Sequence, residues 1–287
     1  MLILFTRYLV LNRLLDNFDY NHQYIMRYFP ALFVILLIAC QNRPSHPFEN
    51  GKWIDLSYSF DEQTPFWPTS ETFDLDTVFQ GITELGYYYS AYSFSTSEHG
   101  GTHIDAPIHF SEGQKTVDEL TLDKLTGPGI VIDVTDSVAD YIDYQIQIED
   151  FMRWEEKHGL VQDQSIVFLR TGIGKFWPDK KKYLGTDQRG IDAVRLLHFP
   201  GLDPSAAKWL VENRNISAIG IDTPSIDYGR SSEFMSHRIL FEKDIPAFEN
   251  MAQLDQLPEK GMYVVAFPMK IKGGSGAPLR VAAFVYE

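Results

Sequence analysis

A mixed α+β domain, richer in strand than in helix, is what this sequence predicts, and three observations predict it. Short β-branched apolar runs recur between turn signals, only two segments carry bounded helical patterns, and no linker divides the chain after Trp53. With 287 residues, one domain of about 200–250 residues is the simplest organisation.

In order, residues 53–60 alternate apolar and polar side chains, as a half-buried strand does, and residues 87–97 alternate aromatic residues with serine. Residues 129–134 and 166–169 are β-branched runs of the kind that fill buried strands. Residues 149–158 predict a helix closed by Gly159, and residues 203–214 a second, with Asp203 as N-cap and Pro204 in its first turn. Residues 216–221 predict another buried strand. Residues 263–267 and 279–286 predict two closing strands separated by the turn-forming GGSGAP.

The formal net charge is −14, which suits solubility and argues against nucleic acid as a partner. The chain has one cysteine, Cys40, and so no internal disulfide. Before it runs RYFPALFVILLIAC, a basic residue followed by an apolar stretch well short of the roughly 20 residues that span a bilayer. This suits a signal-peptide core, and Leu37-Ile38-Ala39-Cys40 resembles a bacterial lipobox. The expectation is a removed signal peptide over 1–39, a lipidated Cys40 with a tether over 40–52, and a catalytic domain over 53–287. A membrane-anchored lipoprotein on the periplasmic or cell-surface side follows. The alternative is a short anchor helix with an incidental cysteine. Met26 is an alternative start that would leave residues 1–25 upstream of the protein.

The chemistry concentrates in HGGTHIDAPIHF, which places His99, His103, Asp105 and His109 at odd positions and hence on one face of an extended chain. His103 and Asp105 would stand about 6.6 Å apart, close enough to share an ion, whereas His99 would lie about 13 Å from His103. Gly100 and Gly101 permit the bend that brings His99 in. A lone histidine is ordinarily a hydrogen-bonded structural residue. Three histidines and an aspartate in eleven residues, around Gly-Gly and Asp-x-Pro, point instead to a metal, and imidazole with carboxylate suits Zn²⁺ or Mn²⁺ better than Mg²⁺ or Ca²⁺.

HGGTHIDAPIHF resembles the H-x-G-T-H-x-D-x-P-x-H pattern of the cyclase family of metal-dependent hydrolases, which includes kynurenine formamidase and isatin hydrolase. Gly100 stands where threonine is often found. FPGLDPSAAKWL, IGIDTPSIDYG, HRILFEKDIPAFEN and KIKGGSGAPLRVAAF continue the resemblance to the C-terminus. It implies a swivelling β/β/α domain with a barrel-like sheet and flanking helices. It implies a first metal site of His99, His103 and Asp105, with Asp105 bridging to a second ion held by His237 and Glu249. It further implies His109 as general acid/base, Trp67 as an aromatic lining the substrate pocket, and a homodimer that contributes residues near the site across its interface. Phe66 and Tyr88 are expected as additional apolar wall. Asp222 and Asp227 are expected to serve turns and hydrogen bonds to the ligands, and Arg170 to meet either a substrate carboxylate or a structural acid.

The implied activity is hydrolysis of an amide C–N bond by metal-activated water, arylformamidase-like, on a small aromatic amide. A cyclic amide or lactone hydrolase is the alternative within enzymes. A surface lipoprotein that binds metal or an aromatic ligand without turnover is the alternative outside them.

Overall fold

The strands of the protein, seen in a computed structural model that describes residues 48–287, are β1 (Gly51–Asp55), β2 (Asp74–Ile82), β3 (Tyr88–Ser95), β4 (His103–Asp105), β5 (Thr126–Asp133), β6 (Gln145–Ile146), β7 (Ile166–Arg170), β8 (Gly201–Leu202), β9 (Ala218–Ile221), β10 (Ala247–Glu249), β11 (Met262–Pro268) and β12 (Gly276–Tyr286). The signal-peptide run, the alternative start and Cys40 lie outside the described residues. β1 already begins at Gly51, inside the stretch expected as tether.

Eight strands form one sheet in the order β1-β12-β11-β5-β7-β9-β10-β4, and β4 also pairs with β12. Seven strands, β12 round to β4, therefore close into the expected barrel, with β1 outside the ring. β5, β7, β9 and β10 run parallel, and the remaining pairs are antiparallel. Their apolar continuity has a plain cause, since both faces are covered. Val131, Ile166 and Phe168 pack with Phe248, Val264 and Val281 in one cluster, while Ile130, Ile132, Val167 and Leu169 pack in another against the helices.

Three helices matter here: α1 (Ile148–His158), α2 (Pro204–Asn213) and α3 (Met235–Glu242). α1 buries Phe151 and Trp154 and ends as expected at Gly159, whose φ of 86° only glycine adopts cheaply. α2 is capped as expected: the Asp203 carboxylate accepts from the Ser205 N–H at 2.7 Å, and Pro204 follows. Capping of this kind contributes about 1 kcal/mol.

Two expectations change. The strand expected over 53–60 stops at Asp55, because the Asp55 carboxylate takes the Ser57 N–H (3.2 Å) and pairs with Arg280, diverting backbone from the ladder. β3 forms within 87–97 but joins no large sheet. It pairs only with β2, in a two-stranded ribbon with a bulge between Thr77 and Phe79. Leu75, Ile82, Tyr88, Tyr92 and Phe94 on one face of the ribbon are all exposed. Among the described residues no helix is long and apolar enough to cross a membrane.

Candidate metal centre

The HGGTH segment bends where its glycines allow. Gly101 has φ +57°, and a Cβ at Gly100 would lie 2.1 Å from Cδ1 of Phe66, whose backbone bridges to Gly100. Thr102 anchors the bend from within, its buried hydroxyl donating to the Asn250 carbonyl (2.7 Å) and accepting from the Tyr58 N–H (2.9 Å). The extended stretch is limited to His103–Asp105. Pro107 then starts a single 3-10 turn, so His109 arrives by a turn and not along the extended face the spacing suggested. The β10–β4 register sets Glu249 directly opposite His103, and α3 supplies His237.

These side chains converge on Asp105. Its Oδ1 lies 2.7 Å from His99 Nδ1 and 3.1 Å from His103 Nε2, and its Oδ2 lies 3.3 Å from His237 Nε2 and 4.0 Å from His109 Nε2. Glu249 reaches His237 Nε2 at 3.1 Å and His103 Nε2 at 3.4 Å. Two triads result, His99/His103/Asp105 and Asp105/His237/Glu249, each with its ligand atoms within 4.8 Å of one another. His109 belongs to neither, and its ring stacks on His99 at 3.8 Å.

The electrostatics favour cations. Burial alone would discharge His103, but Asp105 and Glu249 override it and raise its pKa to about 10. His237 is raised well above its usual value despite burial, by Asp105, Asp227 and Glu249. Burial opposes ionisation of Asp105, yet His99, His103 and His237 hold it well below the usual carboxylate range. For His109 burial prevails and lowers the pKa to about 4, leaving a neutral imidazole. His103 Nδ1 points to the Gly101 carbonyl (2.9 Å), while its buried Nε2 has no aligned hydrogen-bond partner. An orphaned nitrogen beside two carboxylates and a second imidazole fits a divalent cation.

A cavity of about 260 Å³ opens over this cluster, with Trp67, Phe110, Pro224 and Phe234 as apolar wall. Trp67 is thus one of the residues lining the cavity. Phe66 does not line the cavity: it is 3% exposed and packs against Gly100. Tyr88 does not either, since it projects from the ribbon. Arg170 is structural, bound to Asp133 and to the carbonyls of Leu254 (3.0 Å) and Leu257 (3.1 Å). Asp222 builds a turn by accepting from the N–H groups of Thr171 (2.8 Å) and Gly172 (2.9 Å). Asp227 holds His237, with Oδ2 at 2.6 Å from Nδ1. Sequence reasoning missed Asn250, whose amide donates to the Gly101 carbonyl (2.8 Å), and the aromatic pair Phe110 and Phe234. The signal available was adjacency alone, Asn250 to Glu249 and Phe110 to His109.

Comparison with known proteins agrees with this geometry. Residues 54–228 match the family model described as "Putative cyclase". An isatin hydrolase of Roseibium aggregatum is 31% identical over 66% of this chain and 72% of its own length. A kynurenine formamidase of Geobacillus thermodenitrificans is 29% identical over 80% of this chain and 96% of its own. The solved structure of isatin hydrolase A from Labrenzia aggregata bound to benzyl benzoate superimposes with a TM-score of 0.74 at 30% identity, covering 82% of this chain and 94% of that one. Fold, site geometry and sequence together place the chain in the cyclase family of metal-dependent hydrolases.

Proposed function

We propose that this chain hydrolyses the amide C–N bond of a small, uncharged aromatic amide. The supporting observation is one cavity that joins a cation-seeking donor set to a neutral imidazole and an aromatic wall. His99, His103 and Asp105 would hold one divalent ion, Zn²⁺ or Mn²⁺, and His237, Glu249 and the shared Asp105 a second. When bound, such ions supply a Lewis acid and lower the pKa of water to about 7. His109, kept neutral by burial, accepts a proton from the attacking water and returns it to the departing nitrogen. Trp67 and Phe234, with ring centroids 6.3 Å apart, offer faces against which an aromatic ring packs.

Among the described residues lining the cavity none is lysine or arginine. A substrate carboxylate held away from the ions would find no side-chain counter-charge, which favours isatin or a simple N-formyl arylamine over N-formylkynurenine and keeps the cyclic-amide reading beside the linear one. The test is to load the protein with Zn²⁺ or Mn²⁺ and compare N-formylaniline, isatin, N-formylkynurenine and a lactone. The expected result is kcat/KM at least about tenfold higher for the uncharged amides, since each 1.4 kcal/mol is a factor of ten. Preference for N-formylkynurenine would overturn this substrate assignment, and metal binding without any hydrolysis would favour the non-catalytic lipoprotein.

Two copies pair, in this proposal, through the β2–β3 ribbon. An isolated two-stranded ribbon is marginal in water, yet this one exposes aromatic and aliphatic side chains at 39–67%. Five of them, Leu75, Ile82, Tyr88, Tyr92 and Phe94, share one face and form a continuous apolar surface for a second copy. Residues 72–97 carry no lysine or arginine, which disfavours an anionic surface as the occupant. The lipobox-like Leu37–Cys40 supports an exported, lipid-anchored form, which a mass spectrum of the mature N-terminus tests.

A further inference from the structure

His237 and His103 each have an evident reason to present Nε2 to the cluster. Nδ1 of His237 is taken by the Asp227 carboxylate, and Nδ1 of His103 by the Gly101 carbonyl. His99 is turned the other way. Its Nδ1 faces Asp105 Oδ1 at 2.7 Å, and its Nε2 lies 2.9 Å from the hydroxyl of Ser275. That hydroxyl lies 2.7 Å from Glu98 Oε2, which also accepts the Ser275 backbone N–H at 3.0 Å.

A serine hydroxyl has one hydrogen, and an ionised glutamate only accepts. The hydrogen of Ser275 therefore goes to Glu98, and the oxygen accepts from Nε2–H of His99. With the hydrogen on Nε2, a cation set between His99 Nδ1 and Asp105 Oδ1 finds a lone pair on each of them. We propose that Glu98 and Ser275 are positioning residues that fix the tautomer of His99, so that Nδ1 becomes the donor of the first cation position. This rests on the metal reading given above.

The neighbouring glycines give the same assignment independent support. Ser275 sits in a turn that wraps the Glu98–His99 pair closely. A Cβ at Gly274 would meet Glu98 Oε1 at 2.8 Å, and one at Gly276 would meet His99 Cε1 at 2.5 Å. The β12–β4 pairing, with Gly276 opposite Asp105, holds that turn beside the motif. The GGSG run thus places one hydroxyl where no larger neighbours fit.

The test uses the full-length protein. Zn²⁺ binding is measured by competition with a chromophoric chelator, and the donor set by the visible spectrum of the Co²⁺-loaded form, for wild type, Ser275→Ala and Glu98→Gln. Outer hydrogen-bond partners of metal-bound histidines typically change affinity by about 10–100-fold. Ser275→Ala is expected to weaken one of two Zn²⁺ sites in that range and alter the Co²⁺ spectrum, with Glu98→Gln showing a smaller loss. Should Ser275→Ala fail to fold, Glu98→Gln alone decides. Both variants binding two ions with wild-type affinity overturns the relay, as does equal weakening of both sites, which would mean the turn only holds the shape of the cluster. A wild-type chain that binds no divalent ion instead overturns the metal reading and the relay with it.

Discussion

The carboxylate of Asp227 accepts from Nδ1 of His237 at 2.6 Å and so aims the opposite nitrogen between Glu249 and Asp105. Asp227 is itself fixed, taking the backbone N–H groups of Ser236 and His237 at 3.2 Å each. A carboxylate in this role orients the imidazole and raises its basicity as a ligand. Asp227→Asn preserves the shape and removes the charge. It should weaken divalent-metal binding by about 10–100-fold, measured by chelator competition. Unchanged affinity would show that backbone contacts alone orient His237.

His109 stands apart from both triads, 4.0 Å from the nearer Asp105 oxygen, and stacks on His99. His109→Ala should lower kcat by about 10²–10⁴-fold, the usual contribution of a positioned acid/base. The metal content of the purified variant should stay at the wild-type level. Loss of metal in that variant would make His109 a ligand.

How far the site was legible follows from where each residue's partner lies. His99, His103, Asp105 and His109 fall within eleven residues, and local spacing was enough to group them. Glu249 depends on a strand register, Glu249 opposite His103, that no local pattern carries, and only the family resemblance singled it out. β5, β7, β9, β11 and β12 were legible because apolar runs such as residues 166–169 are covered on both faces, whereas the three-residue β10 carries no such run. β3 was half legible: alternation of aromatic residues with serine reads as a half-buried strand, but says nothing about which surface covers it.

The ribbon gives a direct prediction about assembly. Leu75 and Phe94 stand opposite one another on the face that also carries Tyr92 and Ile82. Leu75→Asp with Phe94→Asp places two like charges there and should shift a dimer to monomer in sedimentation velocity, with the fold of the barrel retained. A wild-type chain that sediments as a monomer at micromolar concentration would refute pairing through this surface.

Stability in acid should depend on the link between α1 and the end of α2. Glu155 accepts from Arg214 and from the Val161 N–H at 3.0 Å. Burial opposes ionisation of Glu155, but the Arg214 hydrogen bonds outweigh it and hold the pKa below the ordinary 4.5. A depressed carboxylate stabilises the fold above its unfolded value, and that contribution disappears as pH falls through the folded value. Arg214→Met should therefore lower Tm by about 2–4 °C at pH 7, and the difference should narrow below about pH 4 in calorimetric scans.

Phe66 leaves no room at residue 100 for a side chain larger than that of glycine. A Cβ on residue 100 would lie 2.1 Å from Cδ1 and 2.2 Å from Cε1 of the Phe66 ring, which is itself buried. Real carbon atoms do not approach so closely, so any larger residue must displace the ring or the backbone between His99 and His103. Gly100→Thr alone should cost about 1–3 kcal/mol of stability through overpacking and weaken metal binding by moving His99. Phe66→Ala alone should cost about 3–5 kcal/mol as a cavity forms. The two changes together should cost less than their sum, because threonine fills part of the space the ring vacates. A double-mutant cycle from chemical denaturation measures that coupling, and simple additivity would show that Phe66 and residue 100 do not compete for the same volume.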